Sequence, residues 1–355
     1  MKENKFLYAV RLFACLAVIT IHTRFPGYFG QVMDSLARFA VPYFFAVSGR
    51  FLLTSSDESV SYIRSKTCKS LNKLLKITGL VYFVHLLFSF VVHVSSHVPV
   101  SKWFSSKFNI SELIVFLLYN SGKFIYDGSY TFDHMWYLFA LIYVYVLIII
   151  FARLLRKWYK ALIGILLFFL FFGEALQTYY PIRPFGINIC TWYIMRNWLF
   201  VGMPFVLIGI LFSDYIRKRI DTLSEEKKNL WCKKTRLPAI CGLIIGGIST
   251  VIETNIYGKK EVFIGSLVMV VSILFLSECR MPTDKYLWKI GKEASSNIYY
   301  FHVLIIAVID IMAQNGIIGA PSMWFKPLLV MAICVILFYF IPAIIKKRIK
   351  TPSST

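Results

Sequence analysis

The chain has 355 residues, 58% hydrophobic and 17% aromatic, with a net charge of +21. That much apolar surface excludes a soluble globular domain, and no hydrophilic stretch is long enough to fold as one. The sequence therefore predicts an all-α integral membrane protein of about ten transmembrane helices. A single domain fills residues 1–350, and 351–355 form a short polar tail.

The ten apolar stretches lie near 6–23, 36–53, 77–97, 135–152, 161–176, 197–213, 238–252, 262–277, 296–313 and 327–345. With both termini cytoplasmic, the inner segments hold 27 Lys and Arg against 10 on the outer segments. That asymmetry is the positive-inside rule, so the charge reports topology and no nucleic-acid partner is expected. The inner clusters also suit membrane lipid headgroups or a polyphosphorylated ligand. Lys2 and Lys5 precede the first apolar run as in a signal peptide, but Arg11 interrupts it and no cleavage motif follows. It is expected to remain as an uncleaved first span.

That first span carries Arg11 and His22. Eleven residues at about 100° each return to the same helical face within about 20°, roughly 16 Å further along. An ionisable group inside a membrane helix is costly and points to function. Neutral His22 is usable as a base. Arg11 offers a planar fork to phosphate or to a polarised carbonyl entering from the cytoplasm, or snorkels to that surface. Pro42 is expected to kink the second span, and Ser48-Gly49 near its inner end permits close packing or leaves room for a ligand.

The basic stretch 54–76 is expected to continue as helix into span three. Lys69, Lys73 and Lys76 share one face at its inner mouth, as a phosphate contact or as ordinary inner charge. His85, His93 and His97 follow on the outer half with no evident partner. Segment 98–134 reads as the longest outer loop, with a re-entrant or interfacial helix at 110–120 and the aromatic-polar run 126–134, suited to a sugar or to the membrane interface. His134-Met135-Trp136-Tyr137 opens span four, Arg196-Asn197-Trp198 opens span six, and 214–237 forms a charged inner loop. Near the end, Tyr299 and His302 lie inside span nine, with Asp310 two turns on. His302 needs a polar partner there, which makes it a candidate for the same cavity as His22.

Seven cysteines, of which only Cys190 falls clearly outside, argue against a disulfide framework. No metal-binding spacing, GxSxG elbow, Walker loop or HExxH occurs, so no metal is expected.

Four landmarks in order resemble acyltransferase family 3, the bacterial multi-span membrane acyltransferases that modify surface glycans. They are Arg11-x10-His22, Phe44-Phe45-Ala46-Val47-Ser48-Gly49, His134-Met135-Trp136-Tyr137-Leu138 and Ile298-Tyr299-Tyr300-Phe301-His302. The resemblance implies a bacterial inner-membrane location and a cytoplasmic acyl-CoA donor, most often acetyl-CoA. It implies a hydroxyl acceptor on a glycan or lipid-linked saccharide, with His22 and Arg11 essential. The family's basic RxxR corresponds to Lys73-Leu74-Leu75-Lys76, where lysine keeps the charge but loses the bidentate fork. Arg50 departs from the aromatic or aliphatic residue that commonly follows Ser-Gly. No SGNH-type domain is expected after span ten, so transfer would finish within the membrane domain or on a partner protein.

On this reading donor phosphates meet Lys73, Lys76 and Arg153, and the pantetheine arm passes Arg11. His22 then acts as base or carries the acyl group, with Arg11, Ser48 or a backbone amide stabilising the oxyanion. His134, Trp136, Tyr137, Arg196, Tyr299 and His302 complete the donor or substrate site. The rival reading is a transporter of a small solute such as an amino acid, or an acyl carrier without transfer chemistry. Arg196-Asn197 resembles the family branch fused to vancomycin-resistance racemases. Dependence on acyl-CoA separates the two.

Overall fold

The computed structural model describes residues 3–52, 59–125, 132–179, 196–279 and 281–350, all helices and connections without a strand. The run 126–131, Cys190, Arg280 and the tail lie outside the described residues. Helix α1 (Lys5–His22) starts where the Asn4 side chain accepts from the Leu7 amide at 3.0 Å, satisfying one of the free N–H groups of the first turn. It buries Leu12, Cys15, Val18 and Ile19, while Phe13 faces outward. After α1 come α2 (Gly27–Ala37) and α3 (Ala40–Leu52). The chain breaks at Arg38-Phe39, not at Pro42 as expected. Pro42 sits in the first turn of α3, where its missing N–H leaves no hydrogen bond unmade.

Helix α4 (Val60–Ser95) runs unbroken from the basic stretch into the membrane. Segment 98–134 then forms α5 (Val100–Lys107), which the sequence did not lead us to expect, and α6 (Ile110–Tyr119), which it did. Ile110, Ile114, Leu117 and Leu118 of α6 are all exposed, as a helix lying against lipid requires.

Spans four and five fall within a single helix, α7 (Trp136–Tyr179), interrupted only where Phe151 leaves helical geometry at φ −100° and ψ 20°. The Arg64 guanidinium donates to the carbonyls of Ile149 and Ile150 at 2.9 and 3.2 Å, beside this kink. Next are α8 (Trp198–Asp221) and α9 (Glu225–Tyr257), so the charged inner segment is mostly helix rather than loop. The remaining elements are α10 (Ile264–Glu278), α11 (Lys285–Glu293), α12 (Ser295–Gln314) and α13 (Phe325–Lys346).

Among the described residues, seven helices are long and apolar enough to cross a membrane: α1, α4, α7, α8, α9, α12 and α13. The ten expected stretches differ from these in three places. α3 and α10 are short, at 13 and 15 residues, and α7 joins two stretches.

Helix α1 sits centrally, touching α2, α3, α11, α12 and α13. α3 packs on α8 with almost no side chain between them. A Cβ built on Gly49 would lie 2.0 Å from the Val206 carbonyl oxygen, and one on Gly209 would lie 1.9 Å from that of Ala46. Small residues are what allow such backbone approach. The crossing fixes the height of Ser48 beside α1.

Candidate functional site

Two cavities open beside α1, one toward each end. The one at the His22 end, outer in the expected topology, is lined by His22, Arg38, His134, Trp136, Glu261 and Tyr299, among others. The inner one has a volume of about 980 Å³ and includes Arg11, Ser48, Arg50, Tyr137, Arg217 and Glu278 in its wall. A cavity of this size holds a cofactor-sized ligand.

Between them stands an aromatic partition. Phe44 packs against Tyr137 at 5.9 Å and Tyr299 at 5.6 Å between ring centroids, and the two tyrosines are 5.5 Å apart. Tyr137 lines the inner cavity and Tyr299 the outer. The Arg11 and His22 stripe thus runs from one cavity to the other.

On the outer side four imidazoles form a row. His22, half-buried at the end of α1, lies 5.2 Å from His302 of α12 between centroids. His302 lies 5.1 Å from His134, and His134 lies 4.9 Å from His85 of α4. His85 and His134 both place Nε2 near the Tyr300 carbonyl, at 2.9 and 3.0 Å. A carbonyl only accepts, so both rings carry their proton on Nε2. The Tyr299 hydroxyl donates to the His134 carbonyl at 2.7 Å, tying α12 to the start of α7. His85 has no evident partner in the sequence. The fold supplies one from a helix more than 200 residues away, which no local pattern could reveal.

An ion network, buried at Arg38 and Asp34 and reaching solvent at Arg24, stands in the wall of the outer cavity. Arg38 donates to Glu261 at 2.8 Å and to Asp34 at 3.2 Å, and Arg24 approaches Asp34 at 3.5 Å. Arg196 reaches Glu261 at 3.7 Å and lies over the Trp136 ring. Burial alone would raise the Glu261 carboxyl. The guanidiniums of Arg38 and Arg196, with Lys259 and Arg24, outweigh that and hold it below the ordinary carboxylate value. Sequence reading found Arg196 and missed Arg38, Asp34 and Glu261, although a charge inside the second apolar stretch was a signal for Arg38.

In the inner cavity Arg11 donates to the Ser296 hydroxyl at 2.5 Å. Ser48 donates to the Phe44 carbonyl at 2.8 Å and stands 3.5 Å from the Tyr137 hydroxyl. Arg50, only 2% exposed, pairs with Glu278 of α10. Lys73 and Lys76 are exposed on α4, and neither is in the wall of either cavity. The inner wall instead draws positive charge from Arg11, Arg50, Arg217, Lys5 and Lys228. Asp310 pairs with Lys326 at 2.6 Å, apart from the histidine row.

The family model for an acyltransferase domain, that of acyltransferase family 3, matches residues 4–347. The chain belongs to this family. It carries that family's acyltransferase domain, and its apolar helices are those of a multi-pass membrane protein. The chain is also similar to an amino-acid racemase of Enterococcus faecalis, 32% identical over 149 residues. That match covers 40% of this chain and 19% of the relative's length. No solved structure matches the chain.

Proposed function

We propose that this protein transfers an acyl group, most simply acetyl, from cytoplasmic acyl-CoA to a hydroxyl of a cell-envelope glycan or its lipid-linked precursor. The observation that carries the reading is the pair of cavities meeting at the Phe44, Tyr137 and Tyr299 partition. The inner one is large, with Lys5, Arg11, Arg50, Arg217 and Lys228 in its wall against Glu3, Asp221 and Glu278, and the outer one is lined by His22. A polyanionic donor suits the inner cavity, with Arg50, Arg217 and Lys228 near its phosphates and Arg11 along the pantetheine arm. Exposed Lys73 and Lys76 attract the donor at longer range. The outer cavity is small, about 40 Å³, so it admits the reacting hydroxyl beside Trp136 while the rest of an acceptor lies outside it.

In the reaction the acceptor oxygen attacks the thioester carbonyl as His22 takes the hydroxyl proton. The carbon–oxygen bond forms, the carbon–sulfur bond breaks, and the proton leaves with the CoA thiolate as free thiol. Arg11 and Ser48 lie on the donor side of the partition. The rise of roughly 16 Å along α1 between Arg11 and His22 makes Arg11 a donor-channel residue rather than a contact of the reacting carbonyl. The inner-membrane location and the acyl-CoA donor are what the family suggests, and the charge asymmetry of the segments supports placing the Arg11 end of α1 toward the cytoplasm.

The test uses purified full-length protein in detergent, acetyl-CoA, and a saccharide fraction from the bacterial envelope. Acetyl-CoA binding is followed by calorimetry and turnover by release of free thiol. Wild type should bind and release thiol. His22→Ala should bind with similar affinity and release none. Failure of wild type to bind any short acyl-CoA would overturn the reading in favour of transport, and full turnover in His22→Ala would remove the base assignment.

A further inference from the structure

His302 has a use that the transfer scheme above leaves unassigned. The ring is fully buried on α12. Its Nδ1 lies 2.9 Å from the Tyr299 carbonyl and 3.1 Å from that of Ile298. Both partners only accept, so Nδ1 holds the proton and Nε2 of the neutral ring holds a lone pair. That Nε2 is buried and has no hydrogen-bond partner among the described residues. A buried acceptor left unmet costs stability and calls for an explanation.

Two imidazoles flank it, His22 at 5.2 Å and His134 at 5.1 Å between centroids. His134 cannot present its proton, because its Nε2–H is engaged at the Tyr300 carbonyl. His22 can. It ends α1 and is half-buried, and the 5.2 Å between the two ring centroids is a separation that a nitrogen-to-nitrogen hydrogen bond spans when the rings turn edge to edge. Catalytic hydrogen bonds are often long before substrate is bound.

We propose that His302 is the positioning residue for His22, accepting a hydrogen bond from one ring nitrogen of His22 so that the other is the free base. The neutral imidazole does here what a carboxylate does for the base of a hydrolytic triad. It selects the His22 tautomer and stabilises the imidazolium formed when the acceptor hydroxyl gives up its proton. No proton leaves His22 toward His302 in this scheme. The bond only strengthens as His22 charges, and the proton then goes to the CoA thiolate. The two carbonyls on Nδ1 hold the His302 ring in the orientation this role requires. The inference rests on His22 being the base of the proposed transfer.

The test compares wild type, His302→Phe and His302→Gln as full-length proteins, reading acetyl-CoA affinity, thermal stability, kcat and KM for the acceptor fraction. His302→Phe keeps the volume and loses the acceptor. It should lower kcat at least a hundredfold with donor affinity and acceptor KM within about threefold. His302→Gln restores an acceptor oxygen and should recover kcat to within about tenfold of wild type. Nitrogen-15 spectra of histidine-labelled protein should show the tautomer of His22 redistributed in His302→Phe alone. Turnover by wild type that persists in His302→Phe would overturn the positioning role and leave the transfer reading standing. Equal loss in both variants with lowered thermal stability would assign His302 to packing only. Absence of turnover in wild type would instead remove the transfer reading beneath it.

Discussion

Phe44 and Tyr299 meet edge to face, ring centroids 5.6 Å apart and planes inclined by 73°, with one cavity on either side of the contact. The reacting thioester has to pass this point if donor and acceptor occupy the two cavities. Phe44→Ala should therefore join the cavities. Its buried ring makes the change costly, about 3–5 kcal/mol for Phe→Ala in a core. The expected outcome is a lower melting temperature together with faster acetyl-CoA hydrolysis, because water gains access to the thioester. Thiol release in the absence of any acceptor measures this. Unchanged hydrolysis in a folded variant would mean that the aromatic partition is not a barrier.

The α3 and α8 crossing makes a sharper stability prediction. A methyl on Gly49 would collide with the Val206 carbonyl, and one on Gly209 with the Ala46 carbonyl, so relief requires the helices to separate. Gly49→Ala should destabilise by about 1–3 kcal/mol as overpacking does, and should raise donor KM by shifting Ser48. Gly79→Ala is the control, since nothing lies within 4 Å of a Cβ there. Thermal denaturation in detergent should separate the two variants.

Arg50 and Glu278 form a buried pair on the inner wall. Removing one partner strands the other charge, at about 3–5 kcal/mol. Arg50→Met alone should unfold more readily, and Arg50→Met with Glu278→Leu should regain most of that stability, because an apolar pair of similar size is often no worse than the ions. Acetyl-CoA affinity should fall in both variants, by tenfold or more. Recovery of affinity along with stability in the double variant would deny Arg50 a donor contact.

The membrane class and the family were legible because lipid demands long apolar runs and because the landmark residues sit at fixed spacings within single helices. Arg11 and His22 share a helix, so their common stripe follows from helical geometry. The histidine row does not. His85 comes from α4, His134 from the short turn Asp133–Met135 that precedes α7, and His302 from α12, and only tertiary packing brings neighbouring rings of the row within 5.1 Å. The same holds for Glu261, a connecting residue between α9 and α10 whose importance comes from Arg38 and Arg196 arriving from elsewhere. Helix limits were misjudged where charged residues were read as loop. The Lys, Arg and Glu residues on either side of the 222–224 break are good helix formers that extend α8 and α9 beyond the apolar stretches.

Glu261 gives the outer cavity a defined response to acid. Its carboxyl is held below the ordinary value of 4.5, because Arg38 and Arg196 favour the charged form by more than burial disfavours it. A carboxylate depressed on folding binds fewer protons in the native state than in the unfolded one. Its contribution is therefore complete above the ordinary value and is lost as pH falls from 4.5 through the lower folded value. Between about pH 6 and pH 8 Glu261 should add no slope to the stability curve. Glu261→Gln leaves Arg38 and Arg196 without their shared carboxylate, so at about pH 7 it should be less stable than wild type, by about 3–5 kcal/mol for a broken buried pair. As pH falls below 4.5 the gap should narrow, because the unfolded carboxyl then takes up a proton that the folded one resists. Melting temperatures of the two proteins across this range measure the gap directly. A gap that stays constant into acid would mean that the carboxyl keeps its ordinary value and that Arg38 is held by Asp34 alone.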